Sequence, residues 1–129
     1  MTELSTTNWP SQITLNSMNH LHKYQCILDQ YGVKLQQLGL DDVALESEYA
    51  LRAVKILLDE HLAVLGGDVF FREGHNVKLA YANWYANKHA NETDPAYVER
   101  SCKVALNYIA KFSKRESALP LFSLVVRQH

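Results

Sequence analysis

The chain is 129 residues long, 47 % hydrophobic and 21 % charged, with a formal net charge of −1. A chain of this length makes one domain, residues 1–129, that buries roughly two-thirds of its unfolded surface and needs no metal or disulfide staple. The balanced charge argues against a nucleic-acid partner, and no apolar run of about 18 residues is present to span a membrane.

The charge is unevenly placed. Residues 1–65 carry eight acids and four bases, for −4, whereas residues 66–129 carry six acids and nine bases, for +3. Such asymmetry can orient a charged partner, or can simply mark two solvated faces. The first residues lack a basic region followed by an apolar core, so no secretory leader and a cytoplasmic location are expected. Cys26 and Cys102 have no CxxC partner; both are expected on helices, buried and reduced, with a Cys26–Cys102 bridge as the other possibility.

Residues 1–12 read as a polar, loosely ordered arm in which Trp9-Pro10 is the one distinctive feature. Over residues 17–31, Met18, Leu21, Tyr24, Leu28 and Tyr31 recur at helical spacing, and Gly32 stands where a helix-ending glycine belongs. Residues 33–40 are a short connection. Val43-Ala44-Leu45 either opens a helix capped by Asp41 or Asp42, or stays extended ahead of a helix capped by Ser47. Ser47 is favoured, because Glu48 then falls in the first turn, where the helix dipole favours an acid. Ala50, Ala53, Val54, Leu57 and Leu58 form the buried stripe.

Leu62-Ala63-Val64-Leu65 reads as a strand. Gly66-Gly67-Asp68 follows as a turn from the helical half into a hairpin, with the Asp68 carboxylate bonding backbone N–H groups. Val69 to residue 72 and residues 77–82 make the hairpin arms, joined by a loop at Gly74-His75-Asn76 longer than the two-residue minimum. Asn83-Trp84-Tyr85 either extends the second arm or leaves it. Trp84 and Tyr85 are adjacent and would point oppositely on a strand, leaving one of them exposed. Asp94-Pro95 starts the last helix, with Asp94 as cap and Pro95 at the first helical position. Val98, Cys102, Ala105, Ile109 and Phe112 form its apolar stripe, opposite a basic face that includes Arg100, Lys103 and Lys111. Residues 119–127 read as a final strand. The order is α-α-β-β-β-α-β: an α+β fold with an antiparallel sheet of about four strands and helices on one face.

No catalytic or cofactor-binding pattern emerges. The six histidines form no HExxH pair, and no metal site or cofactor is expected. Cys102 lies on an apolar stripe, unlike a reactive thiolate. Gly66-Gly67-Asp68 is too short for a dinucleotide fingerprint. The chain reads as a non-enzyme.

A resemblance gives a direction. Residues 50–58, Leu65-Gly66-Gly67-Asp68-Val69, Asn83-Trp84-Tyr85, Tyr97-Val98-Glu99-Arg100-Ser101 and Tyr108-Ile109 together resemble the bacterial immunity proteins grouped as immunity protein family 40, over about residues 24–127. The resemblance implies a small cytosolic protein that binds and neutralises a cognate toxin domain, such as a nuclease effector of contact-dependent or other interbacterial competition. Its partner would be the toxin's C-terminal domain, with the chain otherwise a monomer or weak homodimer. Because nuclease clefts are basic, the densest acidic group, Asp41, Asp42, Glu46 and Glu48, with Tyr49 beside it, is the expected toxin-binding face. Gly66, Gly67, Asp68 and Trp84 are read as structural. Two other readings stand beside this one. One is a small enzyme or ligand-binding domain with a pocket near Asp68, His75 and Trp84. The other is an interaction module that dimerises through its last strand.

Overall fold

A computed structural model describes residues 11–115 and 118–127. In chain order the elements are α1 (Ser11–Tyr31), β1 (Val33–Lys34), a 3₁₀ turn (Gln36–Leu38), β2 (Val43–Glu46), α2 (Ser47–Asp59), β3 (Val64–Glu73), β4 (Asn76–Tyr85), α3 (Asp94–Arg115) and β5 (Leu119–Val126). The expected arm lies outside the described residues up to position 10, and α1 begins at Ser11 rather than at 17.

All strand pairs are antiparallel, in the order β1-β2-β5-β3-β4. The α+β class is as expected, but the sheet has five strands and the element order is α-β-β-α-β-β-α-β. Two physical causes account for the difference. Val33 and Lys34 pair with Ala44 and Val43, a ladder too short to leave any period in the sequence. The glycine pair does not make a turn. Gly66, Gly67 and Asp68 lie inside β3, paired on one side with Tyr85, Trp84 and Asn83 and on the other with Val125, Leu124 and Ser123.

The Asp68 carboxylate is exposed and takes no backbone hydrogen bond among the described residues, so its expected turn-holding role falls away. The last strand is not an edge as the dimerisation reading expected: it lies between β2, which pairs with it at Leu121 and Phe122, and β3, and the outer strands are β1 and β4. The hairpin is also tighter than expected. Glu73 pairs with Asn76 across Gly74-His75, with φ +64° at Gly74, a two-residue connection led by glycine.

The main core lies between the helices and one sheet face. Leu45, Val64, Val69, Trp84 and Phe122 from the strands meet Ala50, Val54 and Leu57 of α2 and Val98, Cys102, Ala105, Ile109 and Phe112 of α3. Both helical stripes thus bury the residues their spacing selected, except Leu58, which is half-buried at the edge of the core. A smaller cluster on the opposite sheet face gathers Ala44, Phe70, Val77 and Leu121 under Leu35 and Leu38. Gln37 fastens this cover: its Oε1 accepts from the Val77 N–H at 3.1 Å and its Nε2 donates to the His75 carbonyl at 2.6 Å.

Helix ends shift by one residue from expectation. β2 stays extended through Glu46 (φ −62°, ψ 159°), so Glu46 is the boundary residue and Ser47 is already helical, with no side-chain cap. Thr93, not Asp94, caps α3, its Oγ1 accepting from the Ala96 N–H at 3.2 Å. At the C-terminus of α2, the Leu62 N–H reaches the Leu57 carbonyl at 2.8 Å and the His61 N–H the Leu58 carbonyl at 3.0 Å. This is a Schellman ending with His61, at φ +62°, in the left-handed position usually held by glycine. Cys102 is buried as expected, but Cys26 is exposed, and the two thiols are free.

Candidate functional site

The expected acidic face is present as a neighbourhood but not as a uniform patch. Asp41 and Asp42 sit exposed in the turn before β2, and Asp42 Oδ1 accepts from the Val43 N–H at 2.8 Å. Glu46 ends β2 and is neutralised by Arg72, whose Nη2 donates to its Oε2 at 2.6 Å from across β5. Glu48, in the first turn of α2, pairs with Arg52 at 3.4 Å. Tyr49 is turned inward: its ring stacks on Tyr31 at 3.9 Å, with the Arg52 guanidinium 5.3 Å from its centroid. Asp41 and Asp42 are therefore the members of the group without a cationic partner among the described residues, and they border a cleft of about 320 Å³ with Lys34 and Gln36.

A second surface follows from register. Side chains at alternate positions share a face, so Gly66 and Asp68 lie on the same face as Phe70, the face away from the helices. There the 3₁₀ cover protects Phe70 and Leu121; beyond them Asn83, Asp68, Tyr85 and Val125 are exposed, while Ser123 is buried. One row reads Tyr85, Gly66, Val125; the next reads Asn83, Asp68, Ser123. Gly66 has no side chain, so its row holds a gap between Tyr85, 73 % exposed, and Val125, 49 % exposed. The resulting groove encloses about 390 Å³, with Asn87 at its rim.

Gly66 is required there by close approach. A Cβ would collide with the carbonyl oxygen of Trp84 and crowd the Tyr85 Cα. Its neighbour Gly67 faces the other side, where a Cβ would collide with the Trp84 ring and the Ser123 carbonyl. Trp84 itself is buried against Tyr108 at 4.7 Å, and its Nε1 has no acceptor. Of the adjacent Trp84 and Tyr85, Tyr85 is thus the exposed one. What sequence alone did not give was its alignment with Gly66 and Val125, which depends on pairing across three strands.

Edge strand β4 carries a further irregularity. Val69 pairs with Ala82 but Phe70 with Leu79, so Ala80 and Tyr81 form a bulge. Tyr81 there has φ +56° and is 90 % exposed. A bulky side chain in the left-handed region is a backbone strain that the surrounding ladder has to hold.

The enzyme or ligand-pocket alternative loses its geometry. His75 sits at the hairpin tip, far along β3 from Asp68, and does not line the groove. Burial pushes the Cys102 thiol up, away from a reactive thiolate. The basic face of α3 is partly spent: Arg100 donates from Nε and Nη2 to Glu92 at 2.7 and 2.9 Å and to the Asn87 carbonyl at 2.6 Å. These bonds, with the His89 N–H at 3.0 Å, hold the Glu92 carboxyl down to about 2. Lys88 and Arg127 likewise hold Asp94 below its ordinary range. Among the described residues, no cluster of three metal-ligating side chains occurs and no helix is long and apolar enough to cross a membrane.

A family model described as Immunity protein 40 matches residues 34–126, from β1 through the end of β5. No curated protein and no solved structure matches the chain.

Proposed function

The chain belongs to the immunity protein 40 family, a family of binding proteins rather than enzymes, and we propose that it protects its cell by direct, stoichiometric binding of one cognate toxin domain in the cytoplasm. The observation that carries this reading is the family match, which covers the whole sheet together with α2 and α3. The architecture supports it physically. A neutralising protein needs a rigid body and a complementary surface. Here a sheet covered by helices on one face and in part by the 3₁₀ turn on the other supplies the first, and exposed aromatic and acidic groups supply the second.

The toxin is a nuclease delivered by contact-dependent or other interbacterial competition, in this reading, and the acidic neighbourhood of Asp41, Asp42, Glu46, Glu48 and Tyr49 faces its basic cleft. Asp41 and Asp42 carry the electrostatic attraction, since Glu46 and Glu48 already hold arginines. A carboxylate pair in a phosphate-binding cleft blocks substrate and accelerates association at low salt.

The test is co-expression with the C-terminal domain encoded by the gene immediately upstream. Growth arrest by that domain alone, and normal growth when this chain is present, is the expected pair of results. Arrest that persists with the chain fully expressed and folded would remove the reading.

A further inference from the structure

We infer that the groove over Gly66 is a receptor for an arginine side chain projecting from the partner protein. The inference rests on the immunity reading for the partner's identity, and on the groove's own chemistry for the residue it takes. Three observations carry it.

The first is shape. The gap at Gly66 is one side chain wide, walled in register by Tyr85 on β4 and Val125 on β5. Its floor is backbone, held open because no Cβ fits at Gly66. Such a slot admits a flat, narrow group and excludes a bulky branched one.

The second is charge. Of the residues that line the groove, Asp68 is the one bearing a formal charge. It stands two residues along the strand from Gly66, roughly 7 Å away at the rise of an extended chain. It is exposed and has no hydrogen-bonding or ionic partner among the described residues. The other carboxylates on the sheet, Glu46 and Glu73, hold cations, as do Glu92 and Asp94 beside α3. An unpaired carboxylate at the end of an apolar slot is complementary to a cation delivered from outside.

The third is the wall. Tyr85 offers an exposed ring, Asn83, paired with Asp68 across the ladder, offers an amide oxygen beside the carboxylate, and Asn87 lies at the far rim. A guanidinium is planar, stacks on an aromatic face and forms paired hydrogen bonds to a carboxylate; an ammonium does the last two poorly. The slot therefore selects arginine. Tyrosine surrounded by a polar rim is also the composition of an interface hot spot.

The experiment is affinity measurement between this full chain and the C-terminal domain encoded immediately upstream, at two salt concentrations. Four versions are compared: wild type, Asp68→Asn, Tyr85→Leu and Tyr85→Phe. Asp68 and Tyr85 are exposed, so the variants keep the core, which circular dichroism and thermal melting verify. Asp68→Asn is expected to weaken binding at least tenfold and to flatten its salt dependence. Tyr85→Leu is expected to lose at least tenfold, and Tyr85→Phe to stay within about threefold, because the ring face is retained. Wild-type affinity in either Asp68→Asn or Tyr85→Leu overturns the arginine slot while leaving the immunity reading intact. Failure of the wild-type chain to bind that domain overturns the immunity reading and the slot with it.

Discussion

The ring of Trp84 occupies the space that a side chain on Gly67 would need, and the two residues are direct neighbours across the β3–β4 ladder. This pairing explains a sequence feature that looks like a turn. Gly67 is a socket. It lets the largest side chain of the sheet lie flat over a neighbouring strand while reaching Tyr108 and Phe122.

Gly67→Ala should therefore destabilise the fold, by about 1–3 kcal/mol as overpacking does in closed cores. The clash includes the Ser123 carbonyl, which is backbone and cannot swing aside. Urea titration checks the value. Below its melting temperature the variant should keep its partner affinity, because the added methyl would point at the Trp84 ring on the helix side of the sheet, even though the Gly67 backbone lines the groove.

His61→Gly should stabilise. His61 holds a left-handed conformation at the end of α2, with both Schellman hydrogen bonds formed through backbone groups that glycine retains. Relieving the left-handed strain of a side chain is worth up to about 1–2 kcal/mol, and the extra freedom of glycine in the unfolded chain takes part of it back. A net gain of about 0.5 kcal/mol, seen as a higher urea midpoint at unchanged slope, is the expected result.

Acid should weaken the fold through the loop before α3. The Glu92 carboxyl is held down to about 2 by Arg100 and the His89 N–H. A carboxyl whose folded value is depressed binds its proton more readily in the unfolded chain. Its contribution is thus present above the ordinary carboxylate value, about 4.5, and is lost as pH falls toward about 2. Asp94 works in the same direction through Lys88 and Arg127. Glu92→Gln should lower the melting temperature at pH 7 and flatten its decline between pH 4.5 and 2, as a pH series of thermal melts would record.

Reversing Asp41 and Asp42 together to lysine should slow association with the toxin domain and reduce its dependence on ionic strength, at little cost in stability. Glu46→Lys is a poorer probe, because it also strands Arg72 on the sheet. Stopped-flow association rates at low and moderate salt would separate the two effects. Rates equal to wild type at both salts would take these aspartates out of the binding face.

How much of this was legible in the sequence depends on how far apart the deciding residues lie. The stripes of α2 and α3 were readable because Ala50, Val54 and Leu57, or Val98, Cys102 and Ile109, meet their neighbours at fixed local spacing. The hairpin was readable from the alternation of Val77, Leu79 and Tyr81, but the bulge at Ala80-Tyr81, set by pairing with β3, takes Tyr81 off the face it was expected to share. Gly66-Gly67 was misread because its meaning is supplied by Trp84 and Tyr85, residues on another strand. Leu35 looked like a connection residue, yet it is fully buried, since the 3₁₀ turn behind it folds over Phe70 and Val77. The acidic group was visible as a run of letters, but the arginines that neutralise half of it come from β3 and the next turn of α2. For the groove, the local signal was the Trp84-Tyr85 doublet, which sends one ring to each face; its alignment with Val125 is a product of topology alone.

Membership of the immunity protein 40 family places one claim above the rest: the chain acts by forming a complex with its toxin. Titrating the purified chain into the purified toxin domain, and following both complex formation by size-exclusion chromatography and residual toxin activity, tests it directly. A single co-eluting species and activity that falls linearly to zero at equivalence are the expected results. Separate elution with undiminished toxin activity at excess chain would contradict it.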